Sequence, residues 1–459
     1  MQITSFGAAE TVTGSKHVLE ANGKRILFDC GMFQGSRKES DHRNRVLPFE
    51  PKLFDAVVVT HAHIDHIGLL PMLTKHGYTG PIFCTPATRD LAAIMLLDSA
   101  HIQARDAEYL SRKHRSFVAP LYDDHDVYAV MQKIVALPYN MPMEIAGGIR
   151  ITFREAGHVL GAAMVMVECK EHGKTKRFLE GGDLGRRHMP ILRDPWEPED
   201  ADVVMMESTY GNRDHDPIES MDEKLAQIIK KTAARGGKII IPSFALERAQ
   251  EIIYALHRLE TNGDLPRLPV FVDSPMTVNI TEVFRLHSES FDDEIRWFMS
   301  QEGDPFILEN IRYIRRVEES MKLNDLREPA IIISASGMCE SGRILHHLRN
   351  NCHDDRNTIL IVGFQAKNTL GRRIVEREKE IKIFGVKRPL NAEVHVLNGF
   401  SAHAGRTELI EFGARFKKCA EHVLLVHGEE EAMGALKTAL EEKGQTNVRI
   451  QKEGVPLEF

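Results

Sequence analysis

His61, His63, Asp65 and His66 stand in the run HAHIDH, directly after the apolar stretch AVVVT. Imidazole nitrogens and carboxylate oxygens are the usual ligands of a catalytic zinc ion. Four such side chains in six residues cannot converge on one ion from a regular strand, because neighbouring residues face opposite ways. The run therefore needs a turn, and it has enough ligands for two ions: His61 and His63 can serve one while Asp65 and His66 reach a second. His158 in EAGHVLG, Asp183 in LEGGDLG and His427 in LLVHGEE each end a strand of their own and complete two ligand sets. Flanking glycines, among them Gly157, Gly181, Gly182 and Gly428, permit close backbone approach to an ion. Two such ions roughly 3.5 to 4 Å apart bring the pKa of a shared water toward neutrality, which is hydrolytic chemistry.

The elements that must hold these residues follow from the hydropathy pattern. ITSFGAA, KRILFDCG, DAVVVTHAH, PIFCT, IRITFREAGH, AAMVMVEC and KRFLEGGDLG read as short strands separated by tight turns, and the ionisable residues cluster at their C-terminal ends. Between residues 89 and 140 lies a charged, helix-rich segment with no evident role. From about Asp222 strands and helices alternate: DEKLAQIIKKTAARGG, KIIIPSF, ALERAQEIIYALHRL, PVFVDSPM, AIIISASGM and TILIVGFQ. Fully apolar strands of four to six residues between amphipathic helices predict a parallel sheet covered on both faces. After about Lys387 the earlier strand style returns in AEVHVLNGFSAH and HVLLVHGEE. The expected organisation is a domain at 1–208 and 387–459 interrupted by an inserted Rossmann-like domain at 209–386.

Length and charge narrow the function. A chain of 459 residues exceeds the usual single domain, and 42% hydrophobic with 27% charged residues is the composition of a chain that folds throughout. A net charge of −7 argues against indiscriminate polyanion binding, so any nucleic-acid site must be local. The six cysteines are widely spaced without a Cys-x-x-Cys pair, which predicts free thiols and a cytoplasmic setting. No window reaches 18 apolar residues and the start lacks a basic, then apolar, leader, so neither membrane spanning nor secretion is expected.

The spacing H-x-H-x-D-H with later Gly-His, Gly-Asp and His resembles the metallo-β-lactamase superfamily, an αββα sandwich. That resemblance implies that His61, His63 and His158 hold one zinc ion, that Asp65, His66 and His427 hold the other, and that Asp183 bridges them. Asp29 in LFDCG matches the family's early aspartate, which supports the histidine loop from behind. MESTYG, FSAHAG and VHGE look like the three additional motifs of the β-CASP branch, whose members process nucleic acids. IPSFALERAQEIIYAL, SASGMCESGR and IVGFQAKNTLGR are similar to the insert of its cleavage-and-polyadenylation nuclease type. Histidine at position 427, where DNA-repair members generally carry valine, favours RNA on this resemblance. GGD stands where SGD is common, and Glu207 occupies a position usually held by Asp; neither removes a required group. No KH module is recognisable, so RNA targeting is expected from the two core domains, a homodimer or a partner.

The resulting expectation is a ribonuclease with two zinc ions per chain that hydrolyses single-stranded RNA through a metal-bridging hydroxide. Its products would be 5′-phosphate and 3′-hydroxyl ends, from endonucleolytic or 5′-to-3′ exonucleolytic action. His403 is the expected general acid, Glu207 its orienting carboxylate, and Asp65 a ligand that also accepts the water's proton. RNA contacts are expected at Arg248, Ser336, Gly337, Gln365 and Arg372, in the insert's Gly-rich turns and locally basic 341–390 segment, which also contains Arg343, Lys367 and Arg373. The insert should form one wall of the RNA cleft. A DNA nuclease of the same fold is the nearer rival. A small-molecule hydrolase would have no use for the insert, and a noncatalytic scaffold would not retain every ligand.

Overall fold

The computed structural model describes every residue except Ser36, His172 and Lys367, together with all side chains apart from those of residues 37, 38, 114 and 171. Lys367 of the basic segment thus lies outside the described residues. The chain divides into two compact units, one comprising Met1–Arg187, Asp194–Asp214 and His403–Phe459, the other His188–Arg193 and His215–Ala402.

The first unit contains two seven-stranded sheets. Their inner faces share one core, in which Ile26, Phe28, Ala56 and Val58 meet Phe153, Val165, Phe178 and Met205, all buried. Each of these side chains larger than alanine contributes about 1.5–3 kcal/mol on leaving water. Alternation sends Met206 to the other side, where helix Arg406–Ala414 packs close to it at Gly413. Helices outside and sheets inside give the expected αββα sandwich.

Strand direction is what positions the site. Lys174–Glu180, Val203–Glu207 and His422–Val426 are adjacent and parallel, with Glu207 in register with Val426. Their C-terminal ends therefore deliver Asp183, Glu207 and His427 to one edge. In the other sheet Lys24–Phe28, Ala56–Val58 and Ile82–Cys84 are likewise parallel and deliver Asp29 and the HAHIDH run. The charged segment after Arg89 forms helix Pro86–His114 followed by Asp124–Met131. Among the described residues no helix is long and apolar enough to cross a membrane. All six cysteines are free thiols, as their spacing predicted.

The second unit is built on a six-stranded sheet whose neighbouring strands all run parallel. This is the Rossmann-like layer the apolar runs predicted. At the end of Val270–Val272 the buried Asp273 carboxylate accepts hydrogen bonds from Arg343 (2.6 Å), His347 (2.6 Å) and Ser320 (2.5 Å). These bonds fix the far end of the SASGMCESGR turn.

Two expectations change here. Glu393–Val396, assigned by sequence to the returning first unit, pairs with Thr358–Ile361 at the edge of the second unit's sheet, so contacts divide the units at His403 rather than Lys387. The helix expected to begin near Ala245 begins at Arg248, because Glu247 takes a left-handed φ of 69°.

Candidate metal centre

The tight turn that HAHIDH requires is present: His63 lies in extended backbone and Ile64–Ile67 forms a single helical turn. Asp65 and His66 thereby swing away from the direction of His61. The turn is clamped by its backbone neighbours, since Ser15 N donates to Asp65 O (2.8 Å) and Cys30 N donates to His66 O (2.8 Å). Gly31 passes so close that a Cβ there would lie 1.5 Å from Asp65 O. Gly31→Ala should therefore displace the Asp65–His66 backbone and cost the protein at least one metal ion per chain; metal analysis of a folded variant, its fold verified by circular dichroism, checks this.

Besides a group of Asp183, Glu207 and His403, two histidine-rich ligand sets emerge, and the potential donor atoms within each group lie within 4.8 Å of one another: His61, His63, His158 and Asp183 in one set, Asp65, His66 and His427 in the other. Asp183 faces both. One carboxylate oxygen lies 3.6 Å from His61 Nε2 and 3.6 Å from His158 Nε2, and the other 3.4 Å from His66 Nε2. His427 Nε2 is 3.6 Å from Asp65.

These residues fit metal ions. His63 Nδ1 sits 3.1 Å from His61 Nε2 and 3.3 Å from His158 Nε2. Ligands about 2.0–2.1 Å from a tetrahedral zinc ion are separated by about 3.3 Å, so the spacing is that of a coordination shell. His66 Nε2, His427 Nε2 and one Asp183 oxygen are buried without a hydrogen-bond partner. Leaving polar atoms buried and unsatisfied costs roughly 1–3 kcal/mol each, and coordination removes that cost.

The electrostatics agree. Burial holds His61 and His158 well below the ordinary histidine pKa and His63 at about 4, which keeps their lone pairs available. Burial acts on His66 in the same direction, but the Asp183 and Asp29 carboxylates outweigh it and hold the imidazole well above the usual value. A cation beside Asp183 would replace that proton.

The supporting residues explain the orientation. Asp29 accepts from His66 Nδ1 (2.7 Å) and also from Thr60 N and Thr60 Oγ1 (2.8 Å each), as expected for the family's early aspartate. Thr60 further reaches His61 Nδ1 (3.1 Å), and Thr209 Oγ1 lies 3.1 Å from His427 Nδ1. Asp29 and His427 both adopt left-handed backbone, φ 56° and 50°, strain of a kind that concentrates at functional sites. Thr60, Thr209, Ser15 and Gly31 were not singled out from sequence. Thr60 directly precedes His61, Gly31 follows Asp29 by two residues and Thr209 follows Glu207 by two, whereas nothing in the sequence near Ser15 points to the centre.

Beside the Asp183 ligand set, His403 Nδ1 lies 3.0 Å from Glu207, whose buried carboxylate also accepts from Leu184 N (2.8 Å). Burial works against the His403 charge, yet Glu207 and then Asp183 push its pKa up to about 9. Largely buried and next to Asp183 (3.9 Å), it can present a proton at the centre.

The five expected RNA contacts separate. Ser336 is partly exposed, and Arg372 is exposed enough to reach a ligand although Glu376 holds its Nε at 2.7 Å. Gly337 is buried in the turn and Gln365 Nε2 donates to Gly337 O (3.0 Å) and Gly363 O (3.2 Å), so Gln365 braces two turns. Arg248 is a correction. At the first position of its helix it is buried and ion-paired with Glu251, and does not present a charge to solvent.

Comparison with known proteins agrees with this architecture. A metallo-beta-lactamase superfamily domain matches residues 18–174, a Beta-Casp domain 249–374, and a Zn-dependent metallo-hydrolase RNA specificity domain 387–451. A Thermus thermophilus protein named Ribonuclease TTHA0252 is 38% identical, with all of both chains covered. Proteins named Transcription termination factor FttA are 32% identical in Methanosarcina mazei, covering 98% of this chain and 70% of that one, and 32% identical in Pyrococcus horikoshii, covering 96% and 68%. A crystal structure of a protein of unknown function from Enterococcus faecalis shares the fold at a TM-score of 0.56 and 12% identity, with 99% of both chains covered. With its ligand sets on strand ends, its parallel second sheet and a full-length relative at this identity, the chain belongs to the β-CASP family of metal-dependent hydrolases within the metallo-β-lactamase superfamily.

Proposed function

We propose that this protein is a zinc-dependent ribonuclease that hydrolyses phosphodiester bonds of single-stranded RNA and leaves 5′-phosphate and 3′-hydroxyl ends. The observation that carries the proposal is Asp183, whose two oxygens face two separate ligand sets while the His403–Glu207 pair stands beside them. His61, His63, His158 and Asp183 would hold one ion, and Asp65, His66, His427 and Asp183 the other. Zinc bound there supplies an activated water at neutral pH and positive charge against the phosphate.

The chain's own groups do the rest. Asp65 accepts the proton released from the attacking water, and His403 donates one to the leaving 3′ oxygen. Glu207 orients the His403 ring through Nδ1, leaving Nε2 to face the substrate, and stabilises the protonated form. RNA rather than DNA is supported by the name of the Thermus relative, a ribonuclease, and by the match to an RNA specificity domain. We place the protein in the cytoplasm; a homodimer would supply additional RNA surface. Turnover of matched RNA and DNA oligonucleotides decides between the nucleic acids: equal or greater turnover of DNA would overturn the assignment.

Two zinc ions per chain are expected, since seven ligands exceed one tetrahedral shell. Plasma mass spectrometry of protein prepared without chelator and supplied with zinc should give about two equivalents; one would leave Asp183 without a bridging role.

Ser336 and Arg372 of the second unit are proposed RNA contacts. The Arg372–Glu376 pair is exposed and holds the guanidinium only weakly, so a phosphate can take it. Arg372→Gln should weaken RNA binding and reduce the salt slope by about one ion. Unchanged affinity and slope would remove Arg372 from the interface.

A further inference from the structure

Beside the metal centre the first unit contains a narrow cleft lined by Leu184, Gly185, Arg187, Trp196, Ala404 and Arg415, among others. Leu184 follows Asp183 directly and Ala404 follows His403, and Ala404 N donates to Leu184 O at 2.7 Å. The cleft is thus walled by the same two loops that carry the bridging carboxylate and the proposed acid. Phe412 and Trp196 form its apolar side, with Arg154 stacked 4.9 Å from the Trp196 ring.

Its charges have an unusual arrangement. The Glu197 carboxylate is held between two guanidiniums, one oxygen accepting from Arg187 Nη2 and the other from Arg415 Nη2 (2.8 Å). The other acid, Glu408, is occupied by backbone, accepting from Arg187 N (2.9 Å) and Gly405 N (2.8 Å), with Arg186 at 4.0 Å. Two arginines converging on one anionic group is the geometry that recognises a phosphate. All three side chains of the triad are one-third to one-half exposed, so its ion pairs are screened and exchange readily. The free space, about 30 Å³, admits a water or two but no phosphate, so an incoming phosphate must displace Glu197.

We propose that Arg187 and Arg415 form a subsite for a phosphate of the bound RNA other than the scissile one, and that Glu197 occupies it as an internal competitor until RNA arrives. The ribose or base attached to that phosphate lies against Trp196 and Phe412. The proposal rests on the ribonuclease reading for its choice of ligand. It predicts opposite signs for neighbouring substitutions. Arg187→Gln and Arg415→Gln should each weaken RNA binding about tenfold. Glu197→Gln, which removes the competitor and keeps the shape, should tighten it severalfold.

The test is fluorescence anisotropy with a labelled 12-nucleotide single-stranded RNA in EDTA, where cleavage cannot intervene, alongside KM of the zinc-loaded enzyme and a titration with inorganic phosphate alone. Opposed shifts for the arginine and glutamate variants, with melting temperatures unchanged, support the subsite. Three variants that all weaken binding, or none that alters it, would show a structural ion-pair network and overturn it. A site that takes inorganic phosphate while RNA affinity ignores all three variants would overturn the RNA assignment. Wild-type protein that binds RNA in this manner yet never cleaves it would sink the ribonuclease reading and leave the subsite standing.

Discussion

His403→Ala is expected to lower kcat by roughly 10² to 10⁴ while both zinc ions and RNA affinity are retained, because the loss falls on protonation of the leaving group. Burial fails to depress the pKa of this imidazole, since Glu207 at 3.0 Å and Asp183 beyond it hold the proton there. A substrate with a 3′-thiolate leaving group needs little protonation. It should recover much of the lost rate in the variant while helping the parent far less. Glu207→Gln should be milder: the imidazole remains, with weaker orientation and basicity. Loss of a zinc ion from His403→Ala, or failure of the thiolate to rescue it, would make His403 a metal-shell or structural residue.

Asp183→Ala should have the largest effect of any single change. Each histidine belongs to one ligand set, whereas the Asp183 oxygens lie within 3.4 to 3.7 Å of imidazole nitrogens in both. Removing it should reduce zinc content below one equivalent and bring RNA cleavage to background, a greater loss than His61→Ala or His427→Ala produces. Parallel mass spectrometry and cleavage assays on the three variants compare them. A variant at position 183 that keeps two ions, or that outperforms either histidine variant, removes the bridging assignment.

The gathering of these His and Asp residues was legible in the sequence because their side chains are chemically costly to bury and so announce themselves at strand ends. The parallel second sheet was legible because its central strands are apolar on both faces, as in IIIP and IIIS. Glu393–Val396 misled for a physical reason. It is the edge strand of that sheet, partly exposed, and its alternating EVHV pattern matches the one-sided strands of the first unit. Arg248 misled because cation identity says nothing about burial: one residue after a left-handed Glu247 its side chain turns inward to Glu251. Thr60 and Gly31 passed unnoticed because threonine and glycine are common in turns of every kind, and only the three-dimensional approach to His61 and Asp65 gives them a function.

The most direct measurement is the end chemistry of products from a long, 5′-labelled single-stranded RNA incubated with the zinc-loaded protein, read by denaturing gel and mass spectrometry. Fragments with 5′-phosphate and 3′-hydroxyl ends, absent after chelation and restored by zinc, are the expected outcome. Intact RNA, or fragments ending in 2′,3′-cyclic phosphate, would contradict the proposed hydrolysis by water at the site that Asp183 and its neighbouring histidines would provide for metal ions.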